Sequence, residues 1–358
     1  MQGVKGKYSV DALKVCYEIS LDVYNKLTIN PLKNQDFVFK SPNYLGVLTE
    51  DFRLRRVKTE EREFNILVPD EDVTGNLIPY GFLDIKPKED TKFAGKCFIT
   101  LDNRRLYEPF VVYHEVLERK KSKSNAIFDG SIPFSENVKR LTVSQPKATS
   151  EIQYNTIFYL ETMANKLDLK LYSISNLEIA LDTNINFARL IKNAVANKDY
   201  VPVVNKKRYL DIDSRETINN THLQYSTTRR RAVNMSYLIK QAKNNLQLKC
   251  YNKSREIEDK SHKTYIYRWL DMEKNIHRME ITAKWPAIKS YCRNSNIKTS
   301  DFLYNLHTGE NLSTPYSIWL NGLIHFKRVG KKEIVSVFDL VKLKDNNKAI
   351  TSIPERAN

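Results

Sequence analysis

The sequence predicts an α+β protein built of antiparallel sheets with flanking helices, and three observations carry that expectation. Short runs in which apolar and polar residues alternate recur along the whole chain, which is the period of a half-buried strand. Pro, Gly, Asp and Asn separate these runs, so residues 1–118 read as mostly strand. Apolar residues at helical spacing enter only later, at Ile152, Ile157, Leu160 and Met163.

Taken in order, residues 10–23 predict an opening strand, followed by short strands at 37–39, 64–68, 80–86, 96–101 and 110–116. Residues 118–125 (ERKKSKSN) are a charge run that reads as a solvated loop. Residues 149–167 predict a helix that Thr149 or Ser150 can cap. A strand over 172–183 follows, then a helix over 185–196, short strands at 200–204 and 208–212, and a helix over 233–244. Residues 246–252 alternate as a strand that runs into a short helix, and 276–282 alternate again. Helices at 300–306 and 317–327 close the pattern. This divides the chain into a β-rich N-terminal domain (1–145), an α+β domain carrying the chemistry (146–290) and a helical, basic C-terminal segment (291–358). A faint similarity between KCFITLDNRRLYEP at 96–109 and LKCYNKSREIE at 248–258 admits a duplicated β-rich unit.

Composition narrows the partner. The 358 residues include 58 Lys and Arg against 42 Asp and Glu, a formal charge of +16, while a hydrophobic content of 41% still supports a core. A polyanion is the expected partner. Nucleic acid leads an anionic membrane surface, because the cations are interleaved with 20 Tyr and 15 Phe that can stack on bases. No apolar run of about 18 residues and no signal-peptide pattern is present, so a soluble cytoplasmic protein without membrane partners is expected. Cys16, Cys97, Cys250 and Cys292 lack CxxC spacing, and the six histidines form no HxH or HExxH pair. Reduced core thiols follow, and a metal site would need carboxylates, whose oxygens suit Mg or Mn better than Zn.

The chemistry-bearing stretch is the strand at 246–252. Leu246, Leu248 and Cys250 share one face; Gln247, Lys249 and Tyr251 share the other. Tyr251 is a phenol at a strand end among Lys249, Lys253 and Arg255, cations that would favour its phenolate and fit it to attack a phosphodiester. The competing reading is a half-buried amphipathic plug. Two further strands carry acids: Glu178 and Asp182 on one, Glu280 beside Arg278 on the other. Four residues along a strand separate Glu178 from Asp182 by roughly 13 Å, so Glu280 on a neighbouring strand would share a divalent ion with one or the other. Cross-strand ion pairing is the alternative for all three. Arg229, Arg230 and Arg231, with Lys240 and Lys243, form a basic stretch suited to DNA contact, and Arg255 and Arg278 join it as DNA-binding candidates.

LEIALD (177–182), LKCYNKSREIE (248–258) and HRMEIT (277–282) in this order resemble the three-block pattern of rolling-circle replication initiators of the staphylococcal plasmid and filamentous-phage gene II types. The resemblance covers about residues 173–284. It implies an enzyme that binds an origin and nicks one DNA strand through a tyrosine, leaving a 5′-phosphotyrosine link and a free 3′-hydroxyl, with Mg or Mn and no paired histidines. Carried over by position, Tyr251 is the nucleophile, Lys253 and Glu256 match the Lys and Glu that follow it, Glu178 and Asp182 match the acids of the first block, and Arg278 and Glu280 the third. Glu256 thereby joins Glu178, Asp182 and Glu280 as a metal candidate. Glu178 and Asn252 each stand where Asp is usual and Asn176 where Arg is common, which leaves the ligand set open. Tyr225, Tyr237, Tyr265 and Tyr267 remain alternative nucleophiles. Implied partners are duplex and single-stranded origin DNA, a host helicase or polymerase and a second copy of the chain. A non-catalytic DNA-binding initiator or regulator is the competing reading, and a conjugative relaxase a third.

Overall fold

The computed structural model describes residues 6–29, 36–42, 45–57, 62–69, 77–90, 92–102, 160–226, 234–241, 245–261, 266–267, 275–307 and 309–344. The strand expected at 110–116, the charge run at 118–125, most of the helix expected at 149–167, and Arg229, Arg230, Arg231, Lys243 and Tyr265 lie outside these residues. The architecture is the expected one: antiparallel sheets with flanking helices. The chain divides into two compact units, residues 12–175 and residues 1–11 with 176–358. Two long strands, β1 (Gly6–Ile19) and β7 (Leu169–Thr183), contribute residues to both.

In the unit of residues 12–175, β1 is followed by α1 (Leu21–Thr28), β2 (Phe37–Pro42), β3 (Leu48–Arg56), β4 (Glu63–Pro69), β5 (Leu77–Ile85), β6 (Lys96–Asp102) and the helical residues 160–166, here α2. The strands lie in the order β1-β6-β5-β4-β3-β2, each pair antiparallel. Leu13 and Val15, Cys97 and Ile99, Leu83 and Ile85, Phe64 and Ile66, Phe52 and Leu54 form the buried side of this sheet. The first strand ends at Ile19, short of the expected 23. Ser20 instead caps α1, its hydroxyl accepting from the Val23 amide, and Leu21 to Val23 form the first helical turn.

The other unit runs through the rest of β7, α3 (Phe187–Ala196), β8 (Tyr200–Val204), β9 (Lys207–Arg208), α4 (Ile212–His222), β10 (Leu223–Ser226), β11 (Asn234–Lys240) and β12 (Leu246–Asn252). It continues with α5 (Lys253–Glu256), which a π-turn prolongs over Ile257–Ser261, then β13 (His277–Lys284), α6 (Trp285–Asn294), α7 (Thr299–Tyr304), α8 (Gly309–Leu323), β14 (Ile324–Arg328), β15 (Ile334–Val335) and α9 (Asp339–Lys344). Its main sheet is ordered β10-β11-β12-β13-β7, and β15-β14-β8-β9 form a small second sheet. Leu177, Ile179 and Leu181, Met279 and Ile281, Leu248 and Cys250 bury one face of the main sheet. That face lies under α3 and α8, and the Tyr316 hydroxyl donates to the Met279 carbonyl at 2.8 Å. Among the described residues no helix is long and apolar enough to cross a membrane, and all four cysteines are buried free thiols.

Three expectations are corrected in this unit. Residues 234–240 form a strand and not a helix: β11 pairs with β12, setting Ile239 opposite Leu248, and cross-strand burial outweighs the helical spacing of the segment. Ile212 opens a helix and does not end a strand. Residues 324–327 leave the helix expected over 317–327 and become β14, paired with β8.

Both units follow one plan. A long strand leads directly into a helix and pairs antiparallel with the strand that comes last in its unit's main sheet, β6 for β1 and β13 for β7. The faint sequence similarity joined β6 to β12, whereas topology matches β6 with β13.

Candidate active site

The register of three strands fixes which side chains meet. β12 pairs with β13 so that Lys249 lies opposite Glu280 and Tyr251 opposite Arg278. β13 pairs with β7 so that Arg278 lies opposite Asp182 and Thr282 opposite Glu178. Directly paired residues share a face, so Tyr251, Lys249, Glu280, Arg278, Glu178 and Asp182 all project from the side that α3 and α8 do not cover. The start of β1 adds Asp11.

Arg278 organises one half of this group. Its side chain is 2% exposed and grips the wholly buried Asp182 through two bonds of 2.6 Å, Nε to Oδ1 and the second terminal nitrogen to Oδ2. The remaining terminal nitrogen donates to Asp11 Oδ1 at 2.8 Å. Burial opposes the guanidinium charge, but Asp182 and Asp11 outweigh it and hold the group well above its ordinary value.

The other half is an acid cluster. One carboxylate oxygen from each of Asp11, Glu178 and Glu280 lies within 4.8 Å of the others. Glu280 accepts from Lys249 Nζ at 2.7 Å and from the Tyr251 hydroxyl at 3.3 Å. Burial works against the Lys249 ammonium, yet the Glu280 carboxylate beside it prevails and raises the group. Glu178 accepts from Thr282 Oγ1 at 3.3 Å and, among the described residues, enters no ion pair. Burial, then the charge of Glu280, pushes its carboxyl above the usual range. Asp11, Glu178, Glu280 and Asp182 thus gather on one face with Lys249 and Arg278 among them. Three carboxylate oxygens at this spacing fit a hard divalent cation.

Tyr251 stands at the edge of the cluster as a neutral phenol. Burial raises it far above its ordinary value and overrides the opposing pull of Arg278, so the cations do not hold it as the phenolate the sequence reading expected. Lys253, 1% exposed, is paired with Glu256, and its ammonium sits 5.8 Å from the centroid of the Tyr251 ring. Burial and the neighbouring Arg278 lower it. The turn that brings Lys253 there is built locally. Asn252 caps α5 by accepting from the Arg255 amide at 3.0 Å, and the Lys253 and Ser254 amides both donate to the Ile276 carbonyl.

No family model matches the chain, and no curated protein matches it. A search of solved structures finds a rolling-circle replication initiator protein from Geobacillus stearothermophilus, at 10% identity and a TM-score of 0.37, over 92% of this chain and 90% of that one. A likeness at that score does not establish a shared fold.

The structure thus brings Glu178, Glu280, Lys249, Tyr251 and Arg278 together and sets two expected metal residues apart. Asp182 is consumed by Arg278, and Glu256 pairs with Lys253. Nor is the face open, since Arg278, Glu280 and Asp182 are all buried. Arg255 donates to Asp259 at 3.3 Å, and Lys240 is exposed on β11. Of the alternative tyrosines, Tyr267 donates to the Ser254 carbonyl at 3.2 Å, while Tyr225 and Tyr237 lie on β10 and β11. Asp11 escaped sequence reasoning. Its partner Arg278 is 267 residues away, and the only local signal was an acid inside an alternating strand.

Proposed function

We propose that the protein initiates rolling-circle replication by nicking one strand of origin DNA with Tyr251 beside a divalent cation held by Asp11, Glu178 and Glu280. The observation that carries this reading is the contact between the Tyr251 hydroxyl and Glu280, itself a member of the acid cluster. A bound Mg or Mn ion would supply positive charge to the phosphoryl oxygens of the scissile phosphate. Because burial keeps the phenol neutral, its proton leaves as the oxygen attacks, along the existing hydrogen bond to Glu280 Oε2. The tyrosine oxygen bonds to phosphorus and the phosphorus–3′-oxygen bond breaks. The 5′-phosphate stays on Tyr251, and the 3′-oxygen takes up the proton that Tyr251 passed to Glu280 and becomes the primer end. Lys249, raised and paired with Glu280, remains cationic at the same edge.

The order of the three sequence blocks and the formal charge of +16 support DNA as the substrate and a bacterial cytoplasm as the setting. A non-catalytic DNA binder is the second reading, and the burial of the Tyr251 phenol favours it. The test is incubation of the protein with a supercoiled plasmid carrying its own coding region and flanks. Nicked circles with protein on the 5′ end, formed with Mg or Mn and abolished by EDTA, are expected. Tyr251→Phe should abolish nicking and leave gel retardation within a few fold. Normal nicking by that variant would overturn the assignment, and retardation without nicking by the parent protein would establish the binder.

A further inference from the structure

We propose that Arg278 and Asp182 form a buried positioning pair that aims Asp11 into the cation site, so that the first strand of the chain completes that site. The inference rests on the reading of Asp11, Glu178 and Glu280 as oxygen donors.

A guanidinium is planar, and a carboxylate bound to two of its nitrogens fixes that plane. Asp182 binds in this way, through Nε and one terminal nitrogen of Arg278 at 2.6 Å each, which leaves the other terminal nitrogen pointing in one direction. Asp11 Oδ1 lies on that direction at 2.8 Å, and an oxygen of the same carboxylate lies within 4.8 Å of ligand atoms from Glu178 and Glu280. Asp182, wholly buried and outside the acid cluster, is joined to Asp11 through Arg278.

The division of the guanidinium points the same way. Asp182 takes two nitrogens of Arg278, and Asp11 meets the third through Oδ1. Without Asp182, the guanidinium would be free to turn and take Asp11 in the two-point grip, drawing both of its oxygens away from the cluster. The segment bearing Asp11 is itself seated. Tyr8 meets the ring of Tyr316 edge-on at 5.2 Å, Val10 is buried, and a side chain at Gly6 would meet the Leu181 side chain and the Asp182 carbonyl at 3.4 and 3.5 Å. A cation held by Asp11 would therefore be linked to the seating of this strand.

The experiment is titration of the full-length protein with Mn alone, followed by calorimetry and by electron paramagnetic resonance of the bound ion. Asp182→Asn should weaken Mn binding by about tenfold or more, the usual effect of losing a partner behind a ligand. Asp11→Asn should do the same. The double variant should bind no more weakly than Asp11→Asn, because Asp182 acts through Asp11. Asp182→Glu, which keeps the charge, should restore most of the affinity and the resonance signal, separating positioning from a loss of folding. Binding within twofold of the parent for Asp182→Asn, or additive losses in the double variant, would overturn the proposal. Should the parent bind Mn and Glu280→Gln abolish it while Asp182→Asn does not, the positioning role alone fails. If the parent binds no Mn, the cation site fails with it.

Discussion

At the scale of single residues, the buried charges on the polar face of the main sheet are paired, and Glu178 enters no ion pair among the described residues. Glu280 is shared between Lys249 and Tyr251, Asp182 belongs to Arg278, and Glu178 stays desolvated and raised. Burial also shifts His277, which lies between Asn252 and Thr183 at the end of β13 and is lowered from 6.5. A lowered histidine is held neutral in the folded state, so the unfolded chain binds its proton more readily. Its contribution to stability is complete above 6.5 and is lost as pH falls through the depressed folded value. Thermal unfolding of His277→Gln should therefore lose less stability than the parent on going from about pH 7 to about pH 5. An unchanged slope would show that His277 does not titrate with folding. Alternation along the strands set Tyr251, Glu178, Glu280 and Arg278 on the polar side, and the register brings them onto one face. Cross-strand pairing was open for all three acids, and the sequence did not say that Arg278 would take Asp182, because one acid on a strand looks the same whether an ion or a guanidinium faces it.

At the scale of elements, the strand-to-helix turn after Tyr251 is the part most exposed to a single substitution. Asn252 stands where an aspartate is usual in the resembling pattern and serves as the cap of α5. Asn252→Ala should cost about 1 kcal/mol in urea-induced unfolding, and Asn252→Asp should cost little, since both side chains accept the same amide bond. Equal losses would mean that the cap contributes nothing. Elements were readable where burial follows the local period, as in β7, β12 and β13, whose apolar residues all fall on one face. They were misread where the partner decides. β11 has helical spacing but pairs with β10 on one side and β12 on the other, and α4 buries only Arg215 and Ile218 among its described side chains, too few to set a period.

At the scale of the whole molecule, two units repeat one plan of a long strand, a helix and an antiparallel return, and the unit of residues 1–11 with 176–358 carries the acid cluster. The excess of 58 basic over 42 acidic residues suits a polyanionic partner, while the acid cluster gathers groups from positions far apart in sequence. The most direct measurement is mass-spectrometric mapping of the protein–DNA adduct formed on a nicked supercoiled plasmid after nuclease digestion. The account predicts one modified peptide, with a 5′-nucleotide joined to the phenolic oxygen of Tyr251. A nucleotide on Tyr225, Tyr237, Tyr265 or Tyr267, or no covalent adduct on DNA that has been nicked, would contradict it.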